Sequence, residues 1–267
     1  MSAAPAVAAA DRRTDPLQVA MLLAGRNLLG MRRLPSTFVP ALVMPVFFVI
    51  SFSGQYDGIT RIPGFETDNI LSWYTPMATL MGASFGGLGT AFSTARDLET
   101  GFFDRLLLSP APRLALMAGS IVAGVFRAVL TFVIVLGVGL VGGAAVPGGA
   151  LGIGSLLLAV VGVSATATMW GLGLVYRIKT MNAGPLVQVG IFLALFLSTA
   201  QAPLDVIVGW LHTVAAVNPT SQILDLARQG FVGEVAWSTT WPGLLAIAGF
   251  LTVTGLFALR GMRRLTP

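Results

Sequence analysis

The sequence is dominated by long apolar runs separated by short polar loops, and this pattern restricts what the chain can fold into. A bilayer core about 30 Å thick needs ~20 apolar residues per helical crossing. Six windows meet or approach that length, at about 36–54, 71–93, 118–143, 151–176, 183–202 and 241–260. The charged fraction is 10% and the hydrophobic fraction 55% of 267 residues, whereas soluble domains carry about 25% charged residues. No polar stretch is long enough to fold separately. The expected class is an all-α integral membrane protein with six transmembrane helices and a single membrane domain over 16–267.

Residues 1–15 read as a disordered cytoplasmic tail: Asp11, Arg12 and Arg13 follow the small apolar residues, while a signal peptide has its charge first. Pro16 to Arg33 reads as an amphipathic helix in the headgroup plane, with Leu17, Met21, Leu22, Leu28 and Leu29 against Arg26, Arg32 and Arg33. Gly82 and Gly86 in the second window have the spacing that lets helix backbones approach closely; general membrane-helix glycine content explains them equally well. Arg127 interrupts the third window, where a midplane charge costs at least ~2.5 kcal/mol. It is expected shallower, near the cytoplasmic interface, or facing the bundle interior.

Charge sets the topology. Thirteen of the sixteen basic residues fall on one face: five before the first window, Arg96, Arg105 and Arg113 after the second, Arg177 and Lys179 after the fourth, and Arg260, Arg263 and Arg264 at the end. Only Arg61 and Arg228 fall on the other. The positive-inside rule makes the richer face cytoplasmic, with both termini there. The net charge of +5 is thereby accounted for without nucleic acid. Residues 203–233 lie on the outer side and are largely apolar. They read as two short helices dipping into the outer leaflet as a re-entrant hairpin, broken at Asn218-Pro219.

Chemistry within the chain is sparse. There is no cysteine, and His212 is the only histidine, so no thiolate or histidine metal site is expected. A serine nucleophile would need a base beside it, and His212 is the only histidine that could serve as one. Lys179 precedes Thr180 but follows Ile178, so there is no P-loop. Any ATP and Mg²⁺ must be bound by another chain, and no cofactor is expected in this one. Apart from Arg127, and Arg260 at the very end of the last, the windows are free of charge, which disfavours ion-coupled transport and points to energy arriving from the cytoplasmic side.

That side carries an unusual segment, Arg96 to Arg113, holding six charged residues between two apolar runs. As one helix it places Leu98, Phe102, Phe103, Leu106 and Leu107 on a wide apolar arc, with Asp97, Thr100 and Asp104 opposite. Glu99 falls inside the arc and needs a partner: Arg96, Arg105 or helix N-terminal amides. Gly101 costs ~1 kcal/mol there, and Ser109-Pro110 ends the helix.

Six spans, the amphipathic lead-in helix and this cytoplasmic helix resemble the permeases of ABC-2 type exporters. Arg96-Asp97-x-Glu99-x-Gly101-x-x-x-Arg105-Leu106-Leu107-x-Ser109-Pro110 is similar to that family's acidic, Gly, Leu-rich and Pro signature. Asp97 stands where many relatives have Glu. Asn218-Pro219 followed by Arg228 resembles the re-entrant region before the last span, and Asn69 to Pro76, continuing to Asp97, looks most like the daunorubicin/doxorubicin-resistance branch of actinobacteria. The resemblance implies a bacterial cytoplasmic-membrane protein exporting drugs, lipids or glycolipids. The resemblance also implies pairing with an identical or sister permease and with two copies of a separate ATPase, among membrane lipids. The helix at Arg96 to Leu108, with Arg96, Asp97, Glu99, Gly101, Phe102, Phe103, Asp104, Arg105, Leu106 and Pro110, would be the coupling helix. Arg26, Arg32 and Arg33 would lie in the lead-in helix that also touches the ATPase. Met77, Met81, Phe85, Phe192 and Phe196 are candidates for the substrate pathway. A polysaccharide or glycolipid exporter of the same fold, or a stand-alone channel or ion-coupled carrier, are the alternatives.

Overall fold

The structure is a computed structural model describing residues 15–33, 35–61, 65, 67–108 and 112–265, without the side chains of 31–33, 35–38, 40, 41, 57 and 59. The expected tail before Asp15, Pro110, and the Arg32 and Arg33 side chains lie outside what is described. Among the described residues there are ten α-helices and no strand: α1 Pro16–Arg33, α2 Pro35–Tyr56, α3 Ile70–Glu99, α4 Phe102–Leu107, α5 Arg113–Val141, α6 Gly149–Ile178, α7 Ala183–Phe196, α8 Trp210–Val217, α9 Pro219–Val232 and α10 Trp237–Arg263.

Three of these, α5, α6 and α10, are long and apolar enough to cross a membrane; α7 and the Leu42–Tyr56 part of α2 are shorter apolar helices. The helix at the centre of the bundle is α3, buried continuously from Ser72 to Leu88. Its hydroxyls satisfy themselves by donating to carbonyls one turn back, Thr75 to Leu71 at 2.7 Å, Thr79 to Thr75 at 2.6 Å and Ser84 to Leu80 at 3.0 Å. Small residues let neighbours come close. Added Cβ atoms at Gly86 and Gly87 would meet backbone of α5 (Gly124 and Ala128) and of α6 (Ala167 and Thr168) at 3.1 Å or less. Gly82 faces Thr131 of α5 and Pro45 of α2. Gly82 and Gly86 are therefore close-approach positions between α3 and its neighbours.

The fifth window differs from expectation. Read as 183–202, it stops as a helix at Phe196 after 14 residues, about 21 Å at 1.5 Å per residue. Its last carbonyls are taken by other parts of the chain. The Asn218 side-chain amide donates to the carbonyl oxygens of Ala194 and Leu197, both at 2.8 Å, and the Arg228 Nη2 donates to those of Thr199 and Ala200 at 3.2 and 3.4 Å. With these carbonyls captured, the chain turns rather than continuing the helix.

The 203–233 segment does break at Asn218-Pro219 into α8 and α9. Asn218 Oδ1 caps α9 by accepting the Thr220 amide at 2.9 Å, and Pro219 sits at the first helical position, where its missing N–H costs nothing. While α8 leaves Trp210 and Val217 exposed, α9 is buried from Leu226 to Phe231. Backbone also meets backbone between α6 and α9: the Gly148 amide donates to the Gly230 carbonyl oxygen at 2.9 Å, and a Cβ at Gly152 would lie 2.8 Å from Gly230 Cα. Gly152→Val should therefore unseat α9 and remove the monodisperse peak in size-exclusion chromatography. Gly154→Val, two residues on with nothing within 4 Å, should leave that peak intact.

Candidate functional site

The segment between the second and third windows is two helices rather than one. Glu99 ends α3, and Gly101 takes the left-handed conformation (φ 68°, ψ 8°) before α4 begins. The Thr100 and Gly101 amides close the end onto the carbonyls of Arg96 and Leu98 at 3.0 and 3.1 Å. Gly101 is thus a helix terminator, not an interior glycine. Because the chain turns here, Glu99 leaves the apolar arc expected for it. It is exposed, and its Oε1 accepts the Met181 amide at 2.7 Å, so its partner lies in the turn before α7 and is neither Arg96 nor Arg105.

Asp97 has a partner that spacing alone did not reveal. Arg26 of α1 donates to both of its carboxylate oxygens at 2.6 Å, a bidentate geometry. The same guanidinium lies 4.1 Å from the centroid of the Phe102 ring. The hydrogen bonds to Asp97 hold Arg26 above its ordinary pKa, against the opposing effect of its partial burial. One residue on, Asn27 Oδ1 accepts the Ser93 hydroxyl at 2.9 Å. The amphipathic helix α1 is therefore tied to the end of α3 and to the start of α4 at once. With Arg26 43% exposed and Asp97 13%, water still screens the pair, and it is worth about 1 kcal/mol. Arg26→Ala should leave global stability nearly unchanged while accelerating amide hydrogen exchange in α1.

The short helix α4 has an inner and an outer side. Phe103 is 4% exposed and packs in a cluster with Leu116 and Met117 of α5, Leu172 and Tyr176 of α6, and Ala258 and Met262 of α10. Its ring centroid is 5.7 Å from that of Tyr176. Leu106 and Leu107 close the cluster from α4, as do Val19 and Leu23 from α1. On the outer side Asp104 and Arg105 are exposed, and Leu108, just beyond the helix, is 88% exposed. Arg96 is exposed as well. The arrangement is a peg: its inner end joins an apolar cluster drawn also from α1, α5, α6 and α10, and its outer end presents two charges and a leucine to whatever lies beyond.

The other candidate residues separate into two sets. Phe85, Phe192 and Phe196 form a chain of rings at 6.1 and 5.6 Å, which Phe48 of α2 extends at 6.4 Å. Met77 and Met81 have no accessible surface and belong to the central core, so in this conformation they line no path. At the end of the bundle formed by α8, α9 and the start of α10 is a cavity of about 410 Å³ with Asp205, Asp225, Arg228 and Glu234 among its lining. Arg228 is buried there, its guanidinium 3.5 Å from the centroid of the Trp73 ring and its Nε donating to the Trp73 carbonyl oxygen at 3.3 Å. Sequence reading singled out Asn218 and Arg228 but not the α7 turn and Trp73 that they hold. Among the described residues no cluster of His, Asp and Glu could hold a metal ion.

Comparison with known proteins gives a consistent picture. The chain is 25% identical over 237 residues to the daunorubicin resistance ABC transporter permease protein DrrB1 of Streptomyces coeruleorubidus, covering 88% of this chain and 82% of that one. It is 26% identical over 234 residues to the probable doxorubicin resistance ABC transporter permease protein DrrC of Mycobacterium tuberculosis, covering 85% and 82%. To the probable multidrug ABC transporter permease YbhR of Escherichia coli it is 26% identical over 182 residues, covering 66% of this chain and 47% of that one. The model of the ABC-2 type transporter family matches residues 18–232, and the chain belongs to that family.

Proposed function

We propose that this chain is the membrane-spanning permease subunit of an ATP-driven exporter, and that a separate ATPase docks on the outer side of α4. The observation that carries the reading is the peg itself. A helix anchored by Phe103 in the bundle core yet presenting Asp104, Arg105 and Leu108 outward suits transmission of a partner's movement to α5, α6 and α10. The relatives are named as ABC transporter permeases, and their named drugs make a hydrophobic or amphipathic substrate the natural expectation for this chain.

In this reading α2, α3, α5, α6, α7 with its following turn, and α10 make six crossings of a bacterial cytoplasmic membrane. The basic residues at the α4 end keep both termini cytoplasmic, and α8 and α9 form the re-entrant pair at the outer face. The ATPase, present in two copies, holds ATP and Mg²⁺, and a second permease, identical or a sister chain, completes the pathway beside the Phe85–Phe192–Phe196 ladder. The test is reconstitution: inside-out vesicles containing this chain and its ATPase should accumulate an amphipathic dye only with ATP. Equal dye movement by the chain without an ATPase would contradict the exporter reading.

A further inference from the structure

Arg127, near the middle of α5, is a buried cation whose charge no carboxylate balances among the described residues. It is 8% exposed. Its one hydrogen bond there runs from Nη2 to the Asn27 carbonyl oxygen of α1 at 3.1 Å, and its Nε has no partner. A guanidinium offers five N–H donors, and holding one out of water without a counter-charge is strongly unfavourable. Two other arginines are answered: Arg26 by Asp97, and Arg177 by the Phe257 ring at 3.8 Å and the Gly173 carbonyl.

The surroundings indicate what could answer Arg127. Its guanidinium lies across the backbone of α3, where a Cβ on Gly89 would be 2.9 Å from Nη1. Gly89 and Ser93 are only half-buried, so the junction of α1, α3 and α5 is open to the surface beside the charge. The adjoining surface is apolar, with Phe126 and Leu130 exposed next to Arg127 on α5. A positive fork under an opening, bordered by exposed apolar side chains, matches an anion that carries hydrocarbon.

We infer that Arg127, with Asn27 and the Gly89–Ser93 edge of α3, receives the phosphate head group of an anionic phospholipid whose acyl chains lie along Phe126 and Leu130. The planar guanidinium pairs with phosphate through two parallel N–H donors. A free phosphate would gain nothing from the apolar border. The site concerns this chain alone and does not depend on the exporter reading.

The test uses the chain purified in neutral detergent, with thermal unfolding followed during titration by phosphatidylglycerol, phosphatidylcholine or glycerol phosphate. A ligand that binds only the folded state raises the midpoint. Phosphatidylglycerol should raise it, and the other two should not. Arg127→Met should fold with a lipid-free midpoint at or above that of wild type, since an apolar side chain replaces an unbalanced buried charge, and should bind phosphatidylglycerol at least tenfold more weakly. Should Arg127→Met fail to fold, Gly89→Ala, which pushes the guanidinium off α3, should show the same weakening. Arg260→Gln, at the end of α10, should respond as wild type does. Equal phosphatidylglycerol shifts in wild type and in a folded variant, no shift in wild type, or a full shift from glycerol phosphate alone would each overturn the assignment.

Discussion

Arg105→Glu combined with Leu108→Asp should abolish co-purification of the ATPase with this chain while leaving the membrane domain folded. Both residues are exposed, Leu108 by 88%, so the changes should cost the isolated chain no more than roughly 0.5 kcal/mol. At a docking surface the same changes reverse one charge and place a second where an apolar contact was. Losses on the order of 100-fold in affinity, about 2.7 kcal/mol, are ordinary for such changes. Pull-down from detergent extract reads the loss, and an unchanged size-exclusion profile shows that folding is intact. If the doubly changed chain still held its ATPase at wild-type affinity, the outer side of α4 would not be the docking surface.

Phe103→Ala should produce a different defect. The ring fills a pocket among α5, α6 and α10, and truncating a buried Phe costs about 3 kcal/mol or more, part of it the cavity left behind. The outer side of α4 is untouched, so the ATPase should still bind and still hydrolyse ATP. With the peg no longer seated against Tyr176, movement of the ATPase should reach the bundle poorly. Transport per ATP hydrolysed should fall at least tenfold. Phe103→Leu, which keeps apolar volume, should recover much of it. ATP-driven transport at the wild-type ratio in Phe103→Ala would show that coupling does not pass through this ring.

These two predictions separate what the sequence made legible from what it did not. Long apolar runs placed α2, α5, α6 and α10 to within a few residues, because a bilayer-length helix leaves an uninterrupted pattern. The break at Asn218-Pro219 was legible because Asn caps and Pro starts a helix by local chemistry. Gly101 was misjudged: a glycine within an amphipathic pattern is only a propensity cost until the backbone takes a positive φ, and then the whole arc downstream is re-aimed. Glu99 was misassigned for the same reason. Its partner Met181 is 82 residues away, and Arg26 reaches Asp97 across 71 residues, distances at which no spacing argument operates. The shortening of α7 depends on Asn218, which captures carbonyls at its end, and on Arg228, which captures those of the turn beyond it, both from later in the chain. Met77 and Met81 show a further limit, since apolarity does not distinguish a side chain packed in a core from one lining a path.

The central claim is that the end of the bundle carrying α4 is where the ATPase pushes. The chain has no cysteine, so single cysteines can be introduced without background. Leu108→Cys, treated with a short bifunctional thiol reagent in membranes containing both subunits, should cross-link to the ATPase. Val208→Cys, equally exposed but in the turn before α8, should give no such product. A cross-link from position 208, or none from position 108 when the complex is intact, would contradict the account.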